Sequence, residues 1–592
     1  SGIFCIKMVM TQTSERPAVF QNVLYHLNKV YGEFIEPKAL ASLAHELLAV
    51  MRVNPDAPSP QPHQNKWHAT DIAMITYGNS ILKNDEPPLQ TLKRFLDDYF
   101  SGYINSVHIL PFFPFCSDDG FAVKDFFQVN PELGDWEDIN AIAKDYRLMA
   151  DLVINHGSSS SQWFKNFIAG HGEGHDYFYT CESDTPISSV VRPRTTPLLR
   201  ETETADGIKN VWCTFSHEQV DFDFRNTEVL KTFVKIIRFY LDQGVRLFRL
   251  DAVAFLWKQA GTNCLNLPQT HELIRLLRLL IEQAQSDAVI ITETNIPNRE
   301  NLSYFGNANE AHWIYNFSLP PLLLNTLISG NCRYLRQWLM SMPPAQNGTA
   351  YFNFIASHDG IGLRPAEGLL TDNEIAALIS TMQGFGGEIS WRAAENGIKK
   401  PYEINIALFD ALQGTVKGPD QWQQARFICA HAIMLGLEGI PGIYIHSLLA
   451  TGNDYKRLEQ HQHNRAINRH QWDDAAIRAA LTHTANNHYQ IYHKMTELIK
   501  LRMEQPAFHP NATQFTLQLS DTLFGFWRQS IDRHQSIFCI FNISDQSQTL
   551  RVADLNLVAT DEWHDLISGT ATDSWQSEIQ LTPYQCVWLS NR

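Results

Sequence analysis

The sequence is short of paired cysteines. Its nine cysteines are scattered singly and none forms a CxxC pair. That excludes a disulfide framework and a structural zinc site, and it fits a reducing, cytoplasmic setting. A long apolar run is missing as well. The strongest stretch, 427–445, is broken by His431, Glu438 and Pro441 and reads as a core helix running into a buried strand, so no membrane span is expected. The first residues, SGIFCIKMVM, have one lysine and no adequate apolar region before a small-residue cleavage site, so no signal peptide is expected. Met8 or Met10 is a candidate natural start. Positive charge is in deficit: 47 Lys and Arg face 63 Asp and Glu, a formal charge of −16, which argues against nucleic acid as the main partner. There are no internal repeats and no low-complexity tract. What remains, 592 residues with 44% hydrophobic and 19% charged, is an ordinary globular mixture, long enough for one large domain with additions.

The order of elements narrows the fold. Short apolar runs at 72–77, 106–111, 148–155, 245–252, 288–295, 313–317, 350–357 and 440–445 alternate with amphipathic helical patterns such as 92–99, 228–241 and 270–282. Eight buried strands with crossover helices are the count of an α/β protein of the (β/α)8, or TIM-barrel, class. Residues 1–70 read as an N-terminal helical extension, with helices at 23–31 and 39–51 and a Pro-rich link at 54–62. The barrel is expected over 71–156 and 222–510, interrupted by an inserted domain at 157–221 after strand three. A second long loop, 360 to about 420, follows strand seven. Loops this long after barrel strands fall on the face where barrel active sites lie. Residues 511–592 read as a C-terminal antiparallel β domain, with strands at 513–519, 522–527, 536–542 and 585–589 and no helix between them.

Polar residues at the C-terminal ends of barrel strands are candidates for chemistry. Strand three ends in Asn155 and His156, strand four carries Arg249 and Asp251, strand five ends in Glu293, and strand seven is followed by His358 and Asp359. Three carboxylates thus converge on one rim, where an unpaired charge is costly. An ion-pair network with Arg249 would account for any one of them but not for all three. Two carboxylates in unlike environments are the equipment of retaining glycosyl transfer. Arg249 precedes Asp251 by two residues, so both point to one face of a strand, and the guanidinium is expected to hold Asp251 ionised as a nucleophile requires. Glu293 has no basic neighbour in sequence, which suits a raised pKa and an acid/base role.

The segments DLVINH, RLFRLDAV, ITETN and SHDG resemble the four signature segments of the α-amylase superfamily of retaining glycosidases. VHILPFFPFCSDDGF, VVRPRTTP, VWCTFSHEQVDFD, AGTNC, FSLPPLLL, SHDGIGLRP and NRAINRH narrow the likeness to the sucrose-phosphorylase-like subfamily. These segments run co-linearly from about residue 70 to 470. The N-terminal extension, ITETNIP, YFGNANEAH and KPYEIN look most like the glucosylglycerate phosphorylases. The resemblance implies that Asp251 is the nucleophile, Glu293 the general acid/base and Asp359 the transition-state stabiliser. It implies that His156, His358, Arg249, Asp118 and Arg465 hold glucose, that Phe121 and Phe215 flank it, and that Gln219 is a neighbouring polar contact. Sugars have apolar faces that stack on aromatics and hydroxyl edges that need hydrogen-bond partners, which suits this set.

The carboxylate trio serves a hydrolase and a phosphorylase equally; the acceptor decides. The resemblance makes Arg194 the phosphate-binding arginine and Tyr402 its partner. Arg192, Arg364 and Lys400 are further cations on the same loops, and an acidic chain that concentrates cations there is expected to receive an anion. Lys400 stands where the sucrose enzymes carry an acidic residue, which favours an anionic aglycone over fructose; Thr294-Asn295 stands where they carry a histidine, which weakens the case for sucrose and matches the glucosylglycerate group. The expected activity is phosphorolysis of a small α-glucoside, with 2-O-α-glucosylglycerate leading. Sucrose, sucrose 6′-phosphate and glucosylglycerol are the alternatives, together with a retaining α-glucosidase or transglucosidase. The expected partners are the α-glucoside and inorganic phosphate, with no nucleic acid and no membrane, in a monomer or homodimer. No DxDxDG loop or dense carboxylate cluster lies in 157–221, so no metal and no organic cofactor are expected.

Overall fold

In the computed structural model, residues 16–394, 397–555, 557, 562–572 and 578–592 are described. The candidate starts Met8 and Met10 lie outside them, as does Cys5. Eight parallel strands close into a barrel: β1 Ala73–Thr76, β2 Ser106–Ile109, β3 Arg147–Leu152, β4 Val245–Leu250, β5 Val289–Thr292, β6 Trp313–Tyr315, β7 Ala350–Asn353 and β8 Ile440–Tyr444. All eight expected strands are present. Each is shorter at its C-terminal end than the apolar pattern suggested, because the chain leaves the ladder there. Asp251 and Glu293 directly follow a ladder's end, and Asn155 and Asp359 lie further along the loops that leave β3 and β7.

The register sets the floor of the site. β1 pairs β2 with Ile75 opposite His108, and β3 pairs β4 with Asp151 opposite Arg249. These polar residues fall within runs that are otherwise apolar and buried. Around the barrel the helices are started by local chemistry. Trp136–Asp145 has a capping box in which Asp135 accepts from its first turn and Asp138 returns the bond. Proline opens Pro37–Val50, Pro88–Tyr99 and Pro268–Ala284, where its missing N–H costs nothing.

The N-terminal extension forms α1 Val19–Tyr31 and α2 Pro37–Val50, both starting slightly earlier than expected. α2 packs against α3 Thr227–Asp242, and α1 against α4 Pro268–Ala284. Val23, Leu27, Leu40 and Leu47 are fully buried and join the main core. Tyr31 donates to the Phe224 carbonyl at 2.7 Å, and a nitrogen of His26 lies 2.6 Å from a Glu272 oxygen.

Two excursions stand over the C-terminal face of the barrel. The one after β3 is closed at its base by His156–Ser158 pairing antiparallel with Gln219–Asp221, and carries a three-stranded sheet. The one after β7 holds the antiparallel strands Ile361–Gly362, Glu388–Ala393 and Lys399–Asn405. At the C-terminus, Thr513–Thr516, Leu523–Gln529, Ser536–Asn542 and Cys586–Ser590 form the expected antiparallel sheet. It is extended by Trp563–Asp565, and Gln548–Arg551 pairs with Glu578–Leu581. The sequence pattern did not reveal these last three, which are short and alternate weakly. No helix among the described residues is long and apolar enough to cross a membrane.

Candidate active site

The deepest layer is a network of buried charged and polar groups that ends at Asp251. A ring nitrogen of His108 lies 2.6 Å from Asp151 Oδ2, and Arg249 Nη1 donates to Asp151 Oδ1 at 2.6 Å. The same Nη1 donates to Asp251 Oδ1 at 2.8 Å, and Arg249 Nε donates to the Tyr315 hydroxyl at 3.1 Å. One guanidinium is thus shared by two carboxylates and fixed from below. His108, Asp151 and Tyr315 had drawn no role from sequence. Their signal was an aspartate in register with Arg249 and a buried histidine on the next strand, which only strand pairing makes visible.

Above this layer the three carboxylates are arranged around a bend. Ala252, directly after Asp251, has φ 51°, a left-handed conformation that a residue with a Cβ adopts at a cost. Its N–H donates to Glu293 Oε2 at 3.0 Å, so the strained peptide ties the neighbourhoods of Asp251 and Glu293 together. Asp359 is gripped by Arg465 at 2.7 Å and approached by His358 Nε2 at 3.3 Å. Arg465 is itself held by Glu403 in a two-point contact of 2.8 and 3.1 Å.

These environments push the carboxyls apart. Burial works to raise Asp359, but Arg465, His358, Arg249 and Arg469 outweigh it and hold the group well below the usual carboxylate range. Burial raises Glu293 against Arg249, and the Asp359 charge adds to the rise. Asp251 departs from expectation: burial raises it too, and Glu293, Asp151 and Asp359 oppose what Arg249 does to keep it charged. Several carboxylates draw on one guanidinium, so Asp251 and Glu293 titrate as a pair rather than singly. Asp251 holds a direct charge-assisted bond to Arg249, whereas Glu293 accepts a backbone N–H. That difference favours the ionised form of Asp251 over that of Glu293.

The walls are aromatic and neutral. Phe121 stacks on His358 with ring centroids 5.2 Å apart and planes within 8°. Phe215 lies 5.3 Å from the His156 ring. Burial pushes both histidines down, so they offer hydrogen bonds without charge at neutral pH. Gln219 donates to the Phe121 carbonyl at 3.3 Å, and neither ring nitrogen of His358 has a full hydrogen-bond partner within the protein. Asp118 faces the cleft, with Arg469 3.8 Å away. Its backbone, like that of Asp119, is left-handed, with φ 53° and 45°.

Asp118, Phe121, His156, Arg194, Phe215, Gln219, Asp251, Glu293, His358, Asp359, Tyr402 and Arg465 line one narrow cleft of about 50 Å³, with Arg249 beneath it. Asn295 joins them, its amide donating to the Tyr402 hydroxyl at 3.3 Å. The cleft opens into a vestibule of about 390 Å³ that shares Asp118, Arg194, Gln219, Tyr402 and Arg465. Arg194 spans the mouth, its guanidinium 5.4 Å from the Phe215 ring and 5.2 Å from the Tyr402 ring.

Three expected contacts are not brought here. Arg192 and Arg364 line a separate cavity between the two excursions. Arg192 is two residues from Arg194, but it turns away to donate to the Thr196 carbonyl. Lys400 is exposed on the outer part of the strand that carries Tyr402, paired across it with Arg392, and lines neither space. Sequence proximity placed these cations on the right loops, but the direction of each side chain depends on hairpin register.

A barrel whose strand ends bring three carboxylates and a shared arginine onto one face defines a glycoside-active enzyme site. The chain belongs to the α-amylase family: residues 98–361 match the α-amylase catalytic domain, and curated members align over nearly the whole length. It is 40% identical to the glucosylglycerate phosphorylase of Spirochaeta thermophila over 88% of this chain and 90% of that protein. It is 37% identical to the glucosylglycerate phosphorylase of Escherichia coli over 96% and 100%. Among solved structures it is similar to the sucrose 6F-phosphate phosphorylase of Thermoanaerobacter thermosaccharolyticum, with 26% identity and a TM-score of 0.69, covering 80% of this chain and 94% of that one.

Proposed function

We propose that this chain is a retaining phosphorylase that converts 2-O-α-glucosylglycerate and phosphate into α-glucose 1-phosphate and glycerate. The observation that carries the reading is a single one: Arg194 lies across the mouth of the cleft that holds Asp251, Glu293 and Asp359. The curated relatives with the same printed activity support it.

The chemistry follows from the geometry. Asp251, oriented by Arg249, attacks the anomeric carbon, and the bond to the glycerate oxygen breaks as Glu293 delivers its proton to that oxygen. The product is a β-glucosyl ester on Asp251. Asp359, kept ionised by Arg465, accepts hydrogen bonds from sugar hydroxyls and opposes the positive charge that develops on the ring. Phosphate then enters where glycerate left, a phosphate oxygen attacks the same carbon, and the bond to Asp251 breaks. Glu293 takes up the phosphate proton, and two inversions give the α-configuration. Leaving group and acceptor occupy the same place in turn. If both are anions, one arginine serves both, which fits Arg194 better than a neutral aglycone would.

The test is release of inorganic phosphate from α-glucose 1-phosphate with glycerate, fructose, fructose 6-phosphate, glycerol or no acceptor. Fast release with glycerate alone is expected. Fast release with another acceptor would overturn the aglycone, and equal slow release in every tube would overturn the phosphorylase itself.

A further inference from the structure

The cavity that received Arg192 and Arg364 is larger than the catalytic cleft, at about 700 Å³, within the range that small-molecule sites occupy. It lies between the excursion after β3 and the excursion after β7. A third arginine, Arg392, enters it from the strand Glu388–Ala393. The hairpin formed by this strand and Lys399–Asn405 works as a partition. Trp391 faces the vestibule, its neighbour Arg392 faces the new cavity, and Tyr402 faces the catalytic cleft.

The three guanidiniums are under-satisfied. The Nε atoms of both Arg192 and Arg392 are buried with no hydrogen-bond partner. Among the described residues, the one carboxylate in direct contact with any of the three is Glu367, 2.7 Å from Arg392. Burial and the nearby Arg392 charge lower Arg364, against the charges of Glu300 and Glu367, which work to raise it. In a chain with net charge −16, three buried or half-buried arginines around a hollow are not a general basic surface. Three guanidiniums against the nearby Glu367 and Glu300 leave the described lining net positive, which suits an anion such as a phosphate group. The serine hydroxyls of Ser188 and Ser189 and the apolar Val191 and Leu198 complete a lining suited to an organic body attached to that group.

We propose that this cavity is a second anion site, distinct from the catalytic cleft, which takes the phosphoryl group of free phosphate or of a small sugar phosphate. Its wall is shared with the catalytic site. Arg192 and Arg194 flank one proline, and the N–H of Leu363, next to Arg364, donates to the Tyr402 carbonyl at 2.9 Å. A ligand on Arg192 and Arg364 thus fixes the two segments that present Arg194 and Tyr402 to the cleft.

The experiment is calorimetric titration of the full-length protein with inorganic phosphate and, separately, with glucose 6-phosphate. It compares wild type with Arg392→Gln, Arg364→Gln and Arg194→Ala. Two equivalents of phosphate are expected for wild type. Arg392→Gln should weaken one of them by about tenfold, the scale of one lost charge-assisted contact, and leave the other. Arg194→Ala should do the reverse. Tighter binding of glucose 6-phosphate than of phosphate at the Arg392-sensitive site would assign a sugar ester, and the opposite order would assign free phosphate. A single equivalent in wild type that Arg194→Ala removes would overturn this proposal and leave the phosphorylase reading standing. A single Arg392-sensitive equivalent would overturn the phosphorylase reading alone. If Arg392→Gln unfolds early in a thermal scan, Arg364→Gln decides, and wild-type binding in both variants contradicts the site.

Discussion

The floor of the cleft and its mouth are built on opposite principles. On the floor, His108, Asp151 and Arg249 hang fully buried from β2, β3 and β4, and they are bonded in a chain to Asp251 at 2.6–2.8 Å. At the mouth, Arg194 and Tyr402 come from two long excursions and meet only through ring and guanidinium contacts. The floor is tied by direct charge-assisted bonds, and the mouth by looser contacts between loops. In the proposed mechanism, formation of the glucosyl-enzyme falls to the interlocked floor and the choice of acceptor to the loops at the mouth.

Substitutions can break or sharpen that contrast. The largest effect is expected for Asp251→Ala, which removes the covalent route and should lower turnover by about 10⁴-fold or more in a steady-state assay. Near-normal turnover would remove the floor from the account. Glu293→Gln should cost about 10²- to 10⁴-fold and change the pH profile. The group's pKa is raised in the fold, so its proton is present below that value and lost as pH climbs through it. Wild-type phosphorolysis should therefore fall on the alkaline side, and the Gln variant should lack that limb. Asp151→Asn leaves Arg249 and His108 with an uncharged partner. Breaking a buried pair of this kind costs about 3–5 kcal/mol, read as a lower midpoint in thermal or denaturant unfolding. Its kcat should fall with little change in the KM for phosphate, because the floor is touched and the mouth is not. Lys400→Ala should be nearly silent, within about twofold in kcat/KM, as befits an exposed cation. A large loss would put Lys400 back at the mouth.

The contrast also explains what could be read from the chain. The eight strands were legible because each is a short buried run between amphipathic helices. Asp251, Glu293 and Asp359 were legible because they are charged residues at the ends of such runs. The bracing by His108, Asp151 and Tyr315 was hidden, since strand pairing joins residues far apart in sequence. The loop cations were legible as a group and illegible one by one. Arg192 and Arg194 are separated by a single proline, yet they face different cavities. Arg392 carries no sequence signal that separates it from a solvated loop cation, although it is the neighbour of Lys400 across the hairpin. A register shift between Ser390 and Trp391 sets which face each side chain takes, and composition does not predict it.

The claim at the centre is that Arg194 decides whether phosphate or water resolves the glucosyl-enzyme. The direct measurement is the ratio of α-glucose 1-phosphate to free glucose formed from 2-O-α-glucosylglycerate as phosphate is raised, in wild type and in Arg194→Ala. Wild type should give almost entirely the phosphate ester. The variant should need about tenfold more phosphate to reach the same ratio, with its water reaction largely kept. An unchanged ratio with both products falling together would make Arg194 a structural residue and contradict the account.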